Sequence, residues 1–222
     1  MKTTERLLFA TKDLWQQYNN HPFVMGIQDG TLDKEKFRYY MIQDYLYLED
    51  YAKTFAVGVA KAKSLRIANL FAKYIPVMNG ELNVHDGYLA RLGVTQEEIN
   101  STPRSLDNLS YTSYMLRVAY EEGEAEILAA ILSCAYSYEV IAKKIMENNP
   151  ASINNEFYGD WIKGYVSEDY SQENVILLEE LNRLTENYTE QQIQYLVDIF
   201  VACSRYELAF WEMSWRMSGD KH

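Results

Sequence analysis

Three side chains capable of chemistry lie where the helical pattern of the sequence calls for apolar residues. They are Asp44, Cys134 and Glu207. Their neighbours at helical spacing are Phe37 and Leu48 around Asp44, Ile131 and Tyr138 around Cys134, and Phe200 and Trp211 around Glu207. A buried carboxylate is costly unless it has partners, so two of them on inward faces need an explanation. Together with a thiol nucleophile, they indicate a central site for covalent and acid–base chemistry.

A second interpretation stays open for each of these residues taken alone. Each carboxylate could be hydrogen-bonded by tyrosine hydroxyls within a structural network, as most buried polar groups are. Cys134 could be an ordinary small core residue. Three such residues on three long helices, with Tyr47 and Tyr138 one turn away from two of them, favour a site in the core of a helical bundle.

Tyrosine is unusually frequent in the chain, with 19 tyrosines against 8 phenylalanines. A tyrosine buries an aromatic ring but keeps a hydroxyl that needs a hydrogen-bond partner. So many of them in a helical chain predict an aromatic pocket with polar groups on its walls. Such a pocket suits a flat, nitrogen-containing ring, and a nearby thiol suits covalent attack on that ring.

The elements that must position these residues are helices, because apolar residues recur with helical spacing almost throughout. The predicted stripes run over 7–18, 37–55, 70–75, 82–89, 111–118, 127–145, 157–165, 175–181 and 193–211. We find no convincing alternation typical of strands. The pattern predicts an all-α helical bundle, and the absence of repeats or Ser/Pro-rich linkers predicts one domain over residues 1–222.

Several helix ends can be predicted from capping residues. Asp33 is a reasonable N-cap for the second predicted helix, and Gly93 a C′ glycine for a later one. Capping-box patterns begin at Thr95 and Thr189. Pro76 is expected to kink or end its helix, because proline removes a backbone donor.

Composition and charge exclude several classes of function. The net charge of −11 argues against nucleic acid, whose phosphates need a basic surface. No apolar run approaches the ~20 residues needed to span a bilayer, and no signal peptide is recognised. With two cysteines, a reduced cytoplasmic thiol is expected rather than a disulfide.

A metal site is not expected. Glu81 and His85 lie one helical turn apart and could be ligands, but a di-iron centre of the ferritin type needs two Glu-x-x-His pairs. The chain has three histidines, of which His21 precedes a proline and His222 is terminal. His85 is interpreted as a hydrogen-bonded core or surface residue.

Taken in order, the sequence motifs resemble those of the TenA, or thiaminase II, family, which has the haem-oxygenase-like helical fold. The resemblance spans nearly the whole chain. The segments that carry it are His21-Pro22-Phe23-Val24, Gly26 to Leu32, Tyr39-Tyr40, Gln43-Asp44 with Tyr47-Leu48, Ser110 to Ser113 with Met115, the helix around Cys134, Trp161-Ile162 with Tyr165, and Tyr206-Glu207 with Phe210-Trp211. No single segment is decisive, but their order and spacing together are specific.

The resemblance implies an activity in thiamin salvage. The expected reaction is hydrolysis of 4-amino-5-aminomethyl-2-methylpyrimidine to the 5-hydroxymethyl compound, with release of ammonia. Thiamin itself is implied as a slower substrate. The family also implies that no metal or organic cofactor takes part, and that the protein is a cytoplasmic homotetramer.

The resemblance further implies roles for the residues singled out above. Cys134 is implied as the nucleophile that adds to the pyrimidine ring, and Glu207 as the acid that protonates the leaving amine and then the base that deprotonates water. Asp44 is implied to hold the amino group and a nitrogen of the ring. Tyr47 is implied to aid ionisation of the thiol.

Three further tyrosines are implied to bind the ring: Tyr138 and Tyr165 through hydrogen bonds and Tyr111 by stacking. Two positions depart from the family pattern, because Ser133 stands where proline often precedes the cysteine and Tyr136 where tryptophan is frequent. These departures put the orientation of the ring in question rather than the reaction.

Three alternatives stay open at this point. Cys203, one helical turn before Glu207, could lie near the site and act in place of Cys134. The protein could bind an aminopyrimidine or thiamin, as a binding or regulatory protein, without turning it over. An oxygenase using haem or two irons on the same scaffold is disfavoured by the few histidines.

Overall fold

The computed structural model describes the backbone of residues 1–217 and the side chains of residues 1–76 and 87–217. Within this part of the chain the regular structure is entirely helical, as predicted. The helices are α1 (Thr3–Asn19), α2 (Pro22–Asp29), α3 (Lys34–Lys61), α4 (Leu65–Arg91), α5 (Gln96–Ser101), α6 (Leu106–Glu121), α7 (Glu124–Asn148), α8 (Gly159–Val166), α9 (Glu168–Leu184) and α10 (Glu190–Arg216), with a short 3-10 helix at Pro150–Asn154.

Capping side chains fix the helix ends at the predicted places. Asp33 accepts a hydrogen bond from the backbone N–H two residues into α3 (2.9 Å), and Thr95 caps α5 in the same manner (3.2 Å). At the start of α10, Thr189 and Gln192 bond each other's backbone N–H groups in a capping box. Gly93 follows α4 with φ of 68°, a conformation that favours glycine. The predictions for Asp33, Gly93 and Thr189 are confirmed. At Thr95 the N-cap is confirmed but the capping box is not, because the Glu98 carboxylate pairs with Arg38 instead.

Two local features differ from the sequence prediction. Of the two outcomes expected at Pro76, a kink or the end of the helix, the second is wrong, because α4 continues to Arg91. Buried side chains on both sides of the proline, including Phe71 and Tyr88, anchor the two halves, so packing offsets the lost backbone hydrogen bond. In α9 one residue of the predicted stripe is wrong, since Val175 is exposed and Leu177 is buried instead, whereas Leu178 packs against the core and Leu181 is buried as predicted.

Helix α2 was missing from the prediction because it is short and its signals are local. Pro22 occupies its first turn, where a missing N–H costs nothing. The Nδ1 atom of His21 accepts a hydrogen bond from the N–H of Phe23 (3.2 Å), and Gly30 ends the helix with φ of 70°. These residues make a complete helix of eight residues between two loops.

Helices α3, α7 and α10 pack against one another and carry the three reactive residues into one core. Helix α7 is long and apolar enough to cross a membrane by length and composition, against the sequence expectation. However, 78% of its most apolar window is buried inside the protein. It therefore behaves as the central helix of the bundle, surrounded by α1, α3, α6, α9 and α10.

Candidate active site

A cavity of about 610 Å³ lies between α3, α4, α7, α8 and α9. Five of the seven predicted site residues line it: Asp44, Tyr47, Cys134, Tyr138 and Tyr165. Aromatic side chains make up nine of its 21 lining residues, and polar side chains, most of them from α9, line the rest of it together with smaller apolar ones. This is the composition expected of a pocket for a flat ring that carries hydrogen-bonding groups.

Cys134 lies on α7 and is half-buried, so its thiol reaches the cavity from the central helix. The neighbouring side chain across the cavity wall is Tyr47 on α3. Burial, and next the proximity of the Cys134 thiol, raise the pKa of Tyr47 well above its ordinary value. Tyr47 therefore stays a neutral hydrogen-bond donor, and its hydroxyl donates to the sulfur of Met115 (3.7 Å). A donor near the sulfur stabilises a thiolate as it forms.

Asp44 lies one helical turn before Tyr47 on α3 and is buried, yet it lines the cavity. Its charge acts on the surrounding groups, because it raises the pKa of both Tyr40 and Glu207, in each case after burial itself. A carboxylate is an acceptor only. At this position it can receive hydrogen bonds from an amino group or a protonated ring nitrogen of a ligand.

Glu207 lies on α10, almost fully buried, and does not line the cavity directly. Burial, and second the repulsion by Asp44, raise its pKa to about 8, although hydrogen bonds with Tyr111 and Tyr138 lower it in part. A carboxyl group with a pKa near neutrality can give up a proton and take one back in the same cycle. Tyr138 connects this carboxyl to the cavity, since its ring forms part of the wall.

Tyr111 lies behind the cavity wall rather than in it. Its ring stacks on Tyr206 (centroids 5.8 Å apart, planes 15° apart) and contacts the ring of Tyr47 at 5.2 Å. Its hydroxyl makes a hydrogen bond of 3.1 Å with Ser133. In this position Tyr111 supports Tyr47 and Glu207 from behind, and its predicted stacking on a bound ring stays a prediction.

The rings of Tyr138, Tyr165 and Trp161 form an aromatic cluster at the α8 side of the cavity. Tyr165 lies 4.8 Å from each of the other two rings, measured between centroids. The Tyr40 hydroxyl accepts from the indole N–H of Trp161 and donates to Tyr138, both at 3.3 Å. This chain of bonds leaves the proton of Tyr138 for Glu207 or a ligand.

Cys203 is separated from the cavity. It is fully buried on α10 and does not line the pocket. Burial raises the pKa of its thiol far above the ordinary value, and the charge of Glu207 adds to this effect, against a hydrogen bond with Ser133. Because the thiolate is the reactive form, Cys203 is poorly placed to act as the nucleophile, and Cys134 is the better candidate.

Some residues of the cavity wall were not predicted as part of the site. Tyr51 and Trp161 were assigned to helical core stripes, where pattern alone cannot separate a pocket wall from the core. Tyr170 on α9 had no sequence signal, yet its hydroxyl donates to the backbone oxygen of Ala135 (2.8 Å), next to the thiol. The two positions that depart from the family pattern, Ser133 and Tyr136, do not line the cavity.

No group of three or more His, Cys, Asp or Glu side chains suited to a metal ion occurs among the described residues. The side chains of Glu81 and His85 lie outside this part of the chain, as does His222.

The helix arrangement is that of the haem-oxygenase-like fold. A Shewanella denitrificans OS217 domain with a haem-oxygenase-like fold superposes with a TM-score of 0.70 over 100% of this chain and 97% of that chain, at 15% identity. That likeness shows the fold alone. Residues 10–217 match the TENA/THI-4/PQQC family, and the chain belongs to this family.

Relatives of the chain are similar over nearly their full length. An aminopyrimidine aminohydrolase of Helicobacter pylori is 39% identical over 97% of this chain and 100% of the relative. Another from Bacillus subtilis (strain 168) is 33% identical, over 99% and 92%. A TenA homologue from P. horikoshii OT3 superposes with a TM-score of 0.80 at 32% identity, over 97% of this chain and 99% of that chain. The predicted family and the predicted haem-oxygenase-like fold are thus confirmed.

Proposed function

We propose that this protein is an aminopyrimidine aminohydrolase that acts in thiamin salvage. The substrate would be 4-amino-5-aminomethyl-2-methylpyrimidine, hydrolysed to the 5-hydroxymethyl compound and ammonia, with thiamin as a slower substrate. The names of the full-length relatives support this reaction class. The single observation that carries the proposal is the convergence of Cys134 and Asp44 on one aromatic cavity, with Glu207 directly behind it.

Attack by Cys134 opens the reaction. The Cys134 thiol gives its proton to the solvent or a nearby base, and the thiolate adds to the ring carbon next to the substituted carbon. Aromaticity is lost, and the ring nitrogen that receives the electron density takes up a proton. Asp44 accepts hydrogen bonds from the amino group and from this protonated nitrogen, which stabilises the positive charge that develops on the ring as the amine leaves. Tyr47 is a neutral hydroxyl close to the sulfur, and it stabilises the thiolate by turning its proton from the Met115 sulfur to that of Cys134.

Glu207 completes the reaction. Protonated at neutral pH, it supplies the proton that the leaving amine needs, and Tyr138 links the carboxyl to the cavity. The ring nitrogen then expels ammonia and leaves an exocyclic methylene. Water adds to this carbon while Glu207 takes back a proton, and loss of the thiolate restores the aromatic ring. The two proton transfers are the two halves of general acid–base catalysis.

The test is incubation of the purified, metal-stripped protein with the aminomethylpyrimidine, with the hydroxymethyl product followed by chromatography. Cys134→Ala should lower turnover by on the order of 10³-fold or more, the effect of removing a nucleophile, while the fold is retained. Cys203→Ala serves as the matched thiol control. Full activity in a folded Cys134→Ala protein would contradict the mechanism, and tight binding without product in the wild type would favour a binding or regulatory protein.

We also propose that the protein is a homotetramer. Helix α6 exposes large apolar side chains along one face, with Leu106 at 65% and Tyr120 at 68% exposure and Leu109 between them. Apolar side chains in a row on one helix face suit burial against another copy of the chain. Light scattering on the wild type and on a Leu106→Lys/Tyr120→Lys variant tests this assembly, since the variant should dissociate.

The proposed location is the cytoplasm, where a thiol nucleophile stays reduced. Two free cysteines and a strongly acidic chain agree with this, and the acidic charge also disfavours nucleic acid as a partner. Fractionation of cells that produce the protein, followed by detection in the soluble fraction, tests the location.

A further inference from the structure

Ser133 lies directly before the proposed nucleophile on α7 and is fully buried. Its hydroxyl oxygen lies 3.1 Å from the hydroxyl oxygen of Tyr111, and either atom can be the donor. The same hydroxyl donates to the backbone oxygen of Ala130, also at 3.1 Å. Tyr111 in turn makes a hydrogen bond with Glu207. Ser133 is therefore connected to the proposed acid–base residue through one tyrosine.

The number of protons in this chain of groups allows two complete arrangements. A hydroxyl has one proton to donate and can accept through its lone pairs. When Ser133 donates to Ala130, Tyr111 donates to Ser133 and its oxygen can accept only from a protonated Glu207. When Glu207 is ionised, Tyr111 donates to the carboxylate, and Ser133 turns to donate to Tyr111. The Ala130 oxygen then keeps the backbone hydrogen bond of the helix.

We propose that Ser133 is a positioning residue whose rotating hydroxyl lets Tyr111 either accept from or donate to Glu207, so that both protonation states of the carboxyl are fully hydrogen-bonded. The proposal rests on the proposed function, in which Glu207 acts first as an acid and then as a base. A group that must change its charge twice in one turnover gains from a neighbour that can serve both states.

The other titratable groups around Glu207 cannot reverse in this manner. Asp44 offers acceptors only. Tyr138 receives the proton of Tyr40, so its own proton is directed onward. The groups that act electrostatically with Glu207 are Tyr18 on α1, Tyr40, Asp44 and Tyr47 on α3, Tyr111 on α6, Tyr138 on α7 and Cys203 on α10. Of these, Tyr111 bonds both Glu207 and a serine hydroxyl that can change its direction of donation.

Removing the hydroxyl should favour the ionised state. In Ser133→Ala, Tyr111 loses the acceptor that Ser133 provides, so its proton is directed to Glu207 in both protonation states of the carboxyl. Two tyrosines then donate permanently to the carboxyl group, which stabilises the carboxylate. In the wild type, a hydrogen bond from Ser133 to Tyr111 makes Tyr111 a stronger donor to the carboxylate, and its loss would raise the pKa of Glu207. This indirect effect is smaller than the cost of leaving the buried hydroxyl proton of Tyr111 without an acceptor. The pKa of Glu207 should fall by about one unit.

The experiment measures the protonation of Glu207 without turnover. The infrared band of the protonated carboxyl group is followed against pH and assigned by its loss in Glu207→Gln. In Ser133→Ala the midpoint should move down by about one pH unit, and the alkaline limb of kcat should move with it. Ser133→Thr should restore both. Ser214→Ala, which removes a buried hydroxyl that bonds only a helix carbonyl, should change neither.

A second pair of variants tests the route through Tyr111. In a Tyr111→Phe background, adding Ser133→Ala should cause no further shift, because the link between Ser133 and Glu207 is already removed. An unchanged or raised midpoint in Ser133→Ala, or an equal shift in the Tyr111→Phe background, would overturn the proposal. If the midpoint shifts as expected but the wild type does not hydrolyse the aminopyrimidine, the positioning role stands and the proposed function fails.

Discussion

Glu139 and Glu207 are two buried glutamates of similar exposure, 3% and 2%, but the structure treats them in opposite ways. Glu139 on α7 accepts from the Lys143 ammonium (2.5 Å), the Ser171 hydroxyl (2.5 Å) and the Asn174 amide (2.6 Å). Burial alone would raise the pKa of Glu139, but these donors bring it below its ordinary value. Glu207 instead has the hydroxyls of Tyr111 and Tyr138 as hydrogen-bond partners, and no cation offsets its burial within the part of the chain that the structure describes. Its pKa is raised to about 8.

The difference separates a structural carboxylate from a reactive one. Glu139 is held ionised and joins α7 to α9, so it stabilises the wall of the cavity. Glu207 is held near the point where both of its forms are populated, which costs stability but allows proton transfer. Burial alone therefore does not identify the functional carboxyl group. The identity of its partners does.

Among variants of the two glutamates, the largest effect should come from Glu207→Gln. The amide keeps the shape but cannot transfer a proton, so kcat should fall by about 10²- to 10⁴-fold. The fold should be retained or stabilised, because the repulsion between Asp44 and Glu207 is removed. Steady-state kinetics with thermal unfolding of the same preparation checks both expectations. A rate near that of the wild type would mean that Glu207 is only a buried structural group.

The contributions of Glu207 and Glu139 to stability should depend on pH in different ways. The folded pKa of Glu207 is raised above the unfolded value of about 4.3, so its contribution is fully present below pH 4.3 and is lost as the pH rises toward about 8. Between pH 5 and 8 the wild type should lose stability relative to Glu207→Gln, on the order of 1 kcal/mol for each pH unit.

Glu139 should show the opposite sign. Its folded pKa is lowered, so its contribution is present above the unfolded pKa and lost only as the pH falls through the folded pKa. Urea unfolding of the wild type and Glu139→Gln should therefore give parallel curves between pH 5 and 8. Parallel curves for Glu207→Gln as well would show that Glu207 has an ordinary pKa in the folded protein.

Glu139→Gln should lower stability more than activity. The new amide N–H₂ group meets the ammonium and amide donors of Lys143 and Asn174, and a charge-assisted network is lost. The free energy of unfolding should fall by about 1.5–3 kcal/mol, while the pH limbs of kcat stay in place. Glu147→Gln is the matched control, since its ion pair with Lys144 lies on the exposed face of the same helix. Loss of activity at unchanged stability would give Glu139 a role in the reaction.

The contrast between these residues explains how much the sequence could predict. Asp44, Cys134 and Glu207 were found because each interrupts an apolar stripe, and the stripes follow directly from helical periodicity. Glu139 gave no such signal. It follows Tyr138 at the edge of the stripe and precedes Lys143 by four residues, a spacing typical of exposed helix faces. Only the packing of α9 buries it, and such tertiary contacts cannot be deduced from one helix at a time.

Helical periodicity also cannot tell how far a side chain of the site lies from the cavity. The family resemblance implied that Tyr111 and Tyr138 both bind the ring, but of these two only Tyr138 lines the cavity. Both lie on the inward stripes of their helices, and periodicity gives the direction of a side chain without its distance from the centre. The hydrogen bond between Tyr111 and Ser133 joins two helices and was likewise invisible in either stripe.

The smallest effect should come from Cys203→Ala, which removes a thiol from the core and leaves the thiol of the cavity in place. Cys203 lies near Glu207 and bonds Ser133, but it is fully buried and its thiol is held neutral. Loss of the sulfur leaves a small void, so stability should fall by about 1 kcal/mol, while kcat changes less than about threefold. Iodoacetamide should label the half-buried Cys134 in the folded protein and leave Cys203 unmodified, as mass spectrometry of the digested protein would show. A loss of turnover in Cys203→Ala as large as that in Cys134→Ala would show that the buried thiol behind the cavity is essential for the reaction. Cys134 could then no longer be called the reactive thiol and Cys203 the structural one.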